Sequence, residues 1–333
     1  MIRKLDCSYQ DIIRLENLLR AWKNFLCGKR RKPDVVTFQL RLMDNILELQ
    51  EDLVSRAYVH GGYKRFNISD PKPRVIHKAT VRDRLIHHLL YQELYPYFDR
   101  QFIFDSYSCR LGKGVHKALY RFRHMARKVS RSNTRTCWVL KCDIKKFFAS
   151  INQPILQEIL KKYISDGDTM WLLGQVITSF HTDNTKSVGL PLGNLTSQLL
   201  VNIYMNEFDR FVKHELKTTS YVRYADDCLF LADDKAVLEE YLPKLHSFLA
   251  EHLYLSLHER KTKIQTLASG VDFLGWVHFP HHAVLRTTTK RRMLKNIHTN
   301  TSEATLASYL GMLRHGNAFG LRIKIEEDVQ QLG

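Results

Sequence analysis

Ile12, Ile13, Leu15, Leu18, Leu19, Trp22 and Leu26 recur at helical spacing, and Phe38, Leu40, Leu42, Met43, Ile46, Leu47 and Leu49 do so again before Leu53. The amino-terminal part is therefore expected to be mostly helical. Gly61-Gly62 and Asp70-Pro-Lys-Pro73 then punctuate a partly extended region ending in Arg74-Val-Ile76, and a His- and Leu-rich helix is expected over 81–97.

In the centre, Thr136-Cys-Trp-Val-Leu-Lys-Cys142 reads as a buried strand with Asp143 at its carboxyl end. Gly189-Leu-Pro-Leu-Gly193 reads as a turn and Asn194 to Leu216 as a helix with Leu195, Leu199, Ile203, Phe208, Phe211 and Val212 inward. Two short runs rich in aromatic and β-favouring residues, 221–224 and 228–231, flank Asp226-Asp227 as a hairpin. A helix over 237–253, with Pro243 inside it, leads to Leu255-Ser-Leu257 and Lys261-Thr-Lys-Ile264. A second hairpin is expected where 271–279 meets Ala283-Val-Leu285, and a basic, helical tail follows. Strand, helix, turn, helix, hairpin, helix, strand in that order gives an α+β layer, an antiparallel sheet backed by helices on one face. It places Asp143 beside the hairpin.

Length and charge narrow the function. The 333 residues suffice for one elaborate domain or two to three subdomains. Fifty-one Lys and Arg against 34 Asp and Glu give +17, which favours a polyanionic partner through counterion release. The cations cluster at Lys29-Arg-Arg-Lys32, from Arg121 through Arg123, Arg127, Lys128, Arg131 and Arg135, and at Lys290-Arg-Arg292 with Lys295. Interleaved with Tyr120, Phe122 and Trp138, they look like a nucleic-acid track rather than separate solvated faces. Six cysteines show no C-x-x-C spacing and read as free thiols in a reducing compartment. His87-His88 and His281-His282 lack the partners of a zinc site. No signal peptide and no apolar run of bilayer length is evident, so a cytoplasmic location and no membrane partner are expected.

Asp226 and Asp227 are the candidate chemistry. Two adjacent carboxylates on a hairpin held by strands suit Mg²⁺, a hard cation that takes oxygen ligands. The plainer reading is a polar turn. Ala232-Asp-Asp234 repeats the same letters, but Val237, Tyr241 and Leu242 follow it at helical spacing, so Asp233 or Asp234 reads as a helix N-cap. What separates the two pairs is a third carboxylate. Asp143 supplies it, and three carboxylates could bridge two Mg²⁺ ions about 4 Å apart that clamp the attacking and leaving oxygens of nucleotidyl transfer. Asp226 with Asp143 would be the bridging pair and Asp227 the supporting ligand.

Phe147 and Phe148 after Asp143, Gly-Leu-Pro-x-Gly at 189–193, Tyr-Ala-Asp-Asp at 224–227, Lys261-Thr262 and Phe273-Leu-Gly-Trp276 fall in the order of reverse transcriptase motifs. The resemblance runs from about Tyr63 to Trp276. Asp70-Pro-Lys-Pro-Arg-Val-Ile76 leading to Asp83-Arg-Leu-Ile-His-His88, Ser106-Tyr-Ser-Cys-Arg-Leu-Gly-Lys-Gly-Val-His116, and Leu192-Gly-Asn-Leu-Thr-Ser-Gln198 resemble the enzymes of diversity-generating retroelements, relatives of the group II intron reverse transcriptases. Most reverse transcriptases carry Gln where Leu192 stands and Pro where Gln198 stands.

The resemblance implies a right-hand polymerase: helical fingers with the amino-terminal helices over 1–135, a palm with the catalytic motifs over 136–276, and a reduced helical thumb over 277–333. Asp143, Asp226, Asp227 and the Ile144 backbone would hold two Mg²⁺ ions. Lys72, Arg74 and Arg110 would lie in the fingers, with Lys72 and Arg74 toward the incoming triphosphate; each is otherwise a surface cation. Phe148 would exclude a ribose 2′-hydroxyl, with Phe147 taking the core side, or would itself be a core aromatic. Gly193 and Gln198 would border the nucleotide, and Lys261 would serve the pyrophosphate or be a solvated lysine. Leu192 offers shape but no hydrogen bond near the nascent base pair, which implies relaxed fidelity, directed in this group at template adenines.

The partners implied are an RNA template, a cDNA or primer, dNTPs, a small basic accessory protein and a structured retroelement RNA. The expected source is bacterial or phage. The tail beyond Trp276 is expected to be too short for a nuclease domain plus a thumb. Three rivals stay open: a reverse transcriptase of antiphage defence, a catalytically silent RNA-binding protein on a polymerase fold, and an RNA polymerase, against which Phe148 argues.

Overall fold

Apolar residues at helical spacing build α1 (Tyr9–Ile12), α2 (Leu15–Phe25), α3 (Pro33–Leu40) and α4 (Leu42–Val54). The antiparallel pair β1 (Tyr63–Ile68) and β2 (Arg74–Ala79) follows, then α5 (Val81–Asp99) and α6 (Val115–Val129). Next come β3 (Trp138–Asp143), α7 (Gln153–Tyr163), α8 (Gly167–Thr178) and α9 (Leu195–Arg210). The hairpin β4 (Tyr221–Tyr224) and β5 (Asp227–Ala232) leads to α10 (Lys235–Leu253) and β6 (Lys263–Thr266). The chain ends with β7 (Val271–Phe273), β8 (Trp276–His278), β9 (Ala283–Leu285), α11 (Thr287–Thr299), α12 (Glu303–Leu313) and α13 (Phe319–Leu332). This computed structural model describes residues 4–69, 73–182, 185–299 and 302–332.

Two compact units emerge. The first comprises residues 1–104, 144–215 and 246–257, the second 105–143, 216–245 and 258–333. In the first, α5 packs against α2 and α9, burying Leu85, Ile86, Leu89, Leu90, Leu94 and Phe98. Thr80 caps α5 by accepting from the Asp83 N–H, and the buried Asp83 carboxylate accepts from the Tyr58 hydroxyl at 2.8 Å. A buried carboxylate is tolerated because such donors satisfy it.

The second unit holds a four-stranded antiparallel sheet of order β4-β5-β3-β6 and a three-stranded sheet β7-β8-β9. Phe122, Val139, Val222, Leu229, Phe273 and Trp276 belong to one continuous apolar core there, and α6 covers β4 and β5. The fold is α+β, as the order of elements implied.

Local differences from the sequence reading have backbone causes. The apolar run 271–279 is not one strand: Leu274 and Gly275 both have positive φ, 48° and 88°, and reverse the chain between β7 and β8. The helix expected to reach Leu216 ends as an α-helix at Arg210 and continues as a π-helical turn, Phe211–Glu215. Asp234 caps α10, its carboxylate accepting from the Ala236 N–H at 2.9 Å. None of the six cysteines forms a disulfide, and among the described residues no helix is long and apolar enough to cross a membrane.

Candidate active site

Strand register brings the carboxylates together. Asp143, last residue of β3, pairs directly with Asp227, first residue of β5. Opposed residues of an antiparallel pair share a face with Cβ atoms about 4.5–5.5 Å apart, and like charges so placed repel. Each carboxylate has a lysine. The Lys261 ammonium donates to both Asp143 oxygens at 3.0 Å, and Lys141 Nζ lies 3.8 Å from Asp227 Oδ1. Lys141 stands two residues before Asp143 and hence on the same face of β3. It also donates to the Asp272 carbonyl at 2.7 Å, which anchors its stem.

Asp226 occupies the turn. Tyr224 pairs with Asp227, leaving Ala225 and Asp226 as a two-residue connection, and Ala225 has φ +55°. That left-handed conformation costs a non-glycine residue about 1–2 kcal/mol, and tight hairpins normally place Gly or Asn there. The buried Arg223 compensates, donating to the Ala225 carbonyl at 3.1 Å and to Ser106 Oγ at 3.2 Å. Burial first, then the neighbouring Asp227 charge, pushes the Asp226 carboxyl up to about 6; Asp143 adds to the rise and Lys261 opposes it. A buried carboxyl whose proton affinity two neighbouring carboxylates raise marks a site that a hard cation would relieve. Among the described residues no three His, Cys, Asp or Glu side chains already enclose a metal position. The donor chemistry nonetheless fits Mg²⁺, which is commonly held by one or two carboxylates with substrate phosphates and water.

In the first unit, a cavity of about 660 Å³ is lined by Arg65, Arg74, His77, Phe148, Phe180 and Leu192, among others. Phe147 is buried and Phe148 half-buried, so Phe147 takes the core side and Phe148 the cavity side. The turn that carries Leu192 is sewn to β2: the His77 N–H donates to the Leu192 carbonyl at 3.0 Å, and Asn194 Nδ2 donates to the His77 carbonyl at 2.9 Å. Gly193, at φ +110°, permits the approach, since a Cβ there would stand 2.7 Å from Ile76 Cγ2.

The remaining candidates are spread. Ile144 is buried directly after Asp143. Arg110 donates to the Ser106 carbonyl at 3.0 Å, and Gln198 is half-buried on the first turn of α9. Lys72 lies outside the described residues. The sequence reading missed Lys141, Arg223, Arg65, His77 and Phe180. Lys141 and Arg223 did carry a signal, as single cations inside otherwise apolar strands, where a buried charge requires a partner.

Residues 68–278 match the family described as "Reverse transcriptase (RNA-dependent DNA polymerase)". The chain belongs to the reverse transcriptase family. Protein YkfC of Escherichia coli K12 is 26% identical, the alignment covering 80% of this chain and 77% of YkfC. The group II intron-encoded protein LtrA of Lactococcus lactis subsp. cremoris is 24% identical over 67% of this chain and 38% of its own length. Among solved structures, telomerase from Candida albicans, in complex with a TWJ fragment of telomeric RNA, superposes with a TM-score of 0.52 at 13% identity, over 80% of this chain and 54% of that one. That likeness establishes the right-hand polymerase fold. This reverse transcriptase thus spans well under two thirds of LtrA and of the telomerase chain.

Proposed function

We propose that this reverse transcriptase extends a primer by copying RNA into DNA, with Asp143, Asp226 and Asp227 as the reacting centre. The observation that carries the reading is the Asp143–Asp227 register pair with Asp226 beside it, a like-charge cluster inside a sheet that folding alone would disfavour. When bound, Mg²⁺ would supply a Lewis acid for the primer 3′-oxygen and the pyrophosphate. Asp143 and Asp226 would hold it, with Asp227 and the Ile144 carbonyl supporting. Lys261 already neutralises Asp143 and is free to turn to pyrophosphate as that charge is taken over. Arg74, with Lys72, would hold the triphosphate as fixed cations, and Arg110 belongs with this group. Phe148 would close the cavity to a 2′-hydroxyl, and Gly193 and Gln198 would border the base pair. In this assignment 1–135 serve as fingers, 136–276 as palm and 277–333 as a reduced thumb.

The test is primer extension on an RNA template with Mg²⁺, comparing dNTPs with NTPs and wild type with Asp226→Asn. We expect dNTP-dependent extension that the substitution reduces about a thousandfold or more, the scale of removing a charge-stabilising group. Equal activity in Asp226→Asn would sink the mechanism.

Within the family, Leu192 and Gln198 support assignment to the diversity-generating retroelements, with error directed at template adenines during mutagenic retrohoming. A small basic accessory protein and a structured element RNA would be its partners. The Leu192 side chain borders the cavity but can offer shape alone. Misincorporation opposite adenine by wild type and Leu192→Gln decides this; unchanged error rates would remove Leu192 from the account.

A further inference from the structure

A second cavity, about 170 Å³ in volume, lies within the second unit and contains none of the carboxylate site. Its walls come from α6, through Arg123 and Arg127 one turn apart, from Asn133, and from the β8–β9 turn, Phe279 to His282. Among the described residues no Asp or Glu lines it. An adjoining hollow of about 330 Å³ shares Asn133, Leu267 and Pro280, adds Arg135, and is equally without carboxylates.

His278 lines the first cavity and is 2% exposed. Arg123 Nε donates to its Nδ1 at 3.4 Å, so that nitrogen carries a lone pair. Burial and the Arg123 charge push the imidazole down to about 3, so the ring is neutral and its single proton sits on Nε2. That N–H is a buried donor with no partner among the described residues. Leaving such a donor unmet costs about 1–3 kcal/mol, and the group that would meet it is an acceptor, set among cations.

We propose that this hollow is a subsite for a backbone phosphate of a bound RNA strand, with Arg127, Arg123 and His278 Nε2 as its donors. Two observations favour a polymer over a free anion. Arg123, Arg127, Lys128, Arg131 and Arg135 continue along α6 and the loop after it, more cations than one phosphate engages. The stacked Phe279 and His282 rings, 4.8 Å apart and 14° from parallel, offer a flat face beside the phosphate for an unpaired base. The proposal does not rest on the polymerase roles given to Asp143, Asp226 and Asp227, because it concerns binding without dNTPs.

The test uses the full chain and a fluorescein-labelled single-stranded RNA of about 12 nucleotides, a length within the usual site sizes. Affinity is read by anisotropy across a salt series. Arg127→Gln should weaken binding roughly five- to tenfold and lower the salt slope by about one, while Lys244→Gln, an exposed lysine of the same unit outside the cavity and outside the basic clusters, changes affinity less than about twofold. His278→Phe keeps the ring and removes the donor, and should show the loss with little change in slope. If His278→Phe unfolds, the Arg127 and Lys244 pair decides. Equal losses in that pair would reduce the effect to general charge and overturn the subsite, as would wild-type affinity in Arg127→Gln. In histidine-labelled protein, an NMR shift of His278 Nε2 should follow RNA addition. A shift with inorganic phosphate, but none with RNA, would assign the hollow to a free anion and overturn the RNA reading.

Discussion

Lys261 donates to both carboxylate oxygens of Asp143 at 3.0 Å, so the residue proposed to hold metal ions is matched by a protein cation. Lysine and Mg²⁺ compete for the same oxygens. The ammonium is about half exposed and the carboxylate nearly buried, so the pair contributes on the order of 1 kcal/mol or less. Lys261→Gln should lower the half-activating Mg²⁺ concentration about two- to fivefold while reducing kcat. A Mg²⁺ titration of primer extension separates the two effects; unchanged values for both would make Lys261 a bystander.

Asp234 tests whether the Asp-Asp letters or their setting matters. Its carboxylate accepts from the Ala236 N–H at the start of α10. Asp234→Ala should cost about 1 kcal/mol of stability, the usual value of an N-cap, and leave primer extension near wild type. Denaturant unfolding and the extension assay measure the two. Loss of activity at unchanged stability would contradict the capping role.

Phe148 is half-buried at the wall of the 660 Å³ cavity while Phe147 is buried beside it. Phe148→Ala should raise kcat/KM for NTPs relative to dNTPs by about 10- to 100-fold, the range that a hydrophobic shape contact discriminates. Phe147→Ala should instead destabilise the fold, by about 3–5 kcal/mol for a buried aromatic. Steady-state kinetics with paired nucleotides and a melting curve distinguish them. The opposite pattern would exchange the two roles.

His88 predicts a pH dependence. Burial, then Lys29 and Arg84, hold its imidazole down at about 4. Between that value and the ordinary 6.5 the unfolded chain binds the proton and the folded chain does not, so stability rises with pH through this window and is lost on acidification. The loss from pH 7 to pH 5 attributable to this group is about 2 kcal/mol at most, at 1.4 kcal/mol per unit. In His88→Gln the stability difference between those two pH values should shrink. An unchanged difference would place the acid sensitivity elsewhere.

The sequence by itself determined the α+β class and most of the order of elements, and it singled out Asp143, Asp226 and Asp227 as candidates, because periodicity and short motifs are local properties of the chain. The break at Leu274 and Gly275 escaped it, since an apolar run does not reveal where φ turns positive. The tertiary structure decided what depends on register and burial. It set Asp143 opposite Asp227, placed Lys261 and Lys141 against them, and turned Phe148 rather than Phe147 to the cavity. Charges on separate strands acquire a definite energy only when pairing fixes their separation and the surrounding protein excludes water. The Asp226 carboxyl, pushed up by burial and by Asp227, owes its shift to that environment rather than to the letters around it.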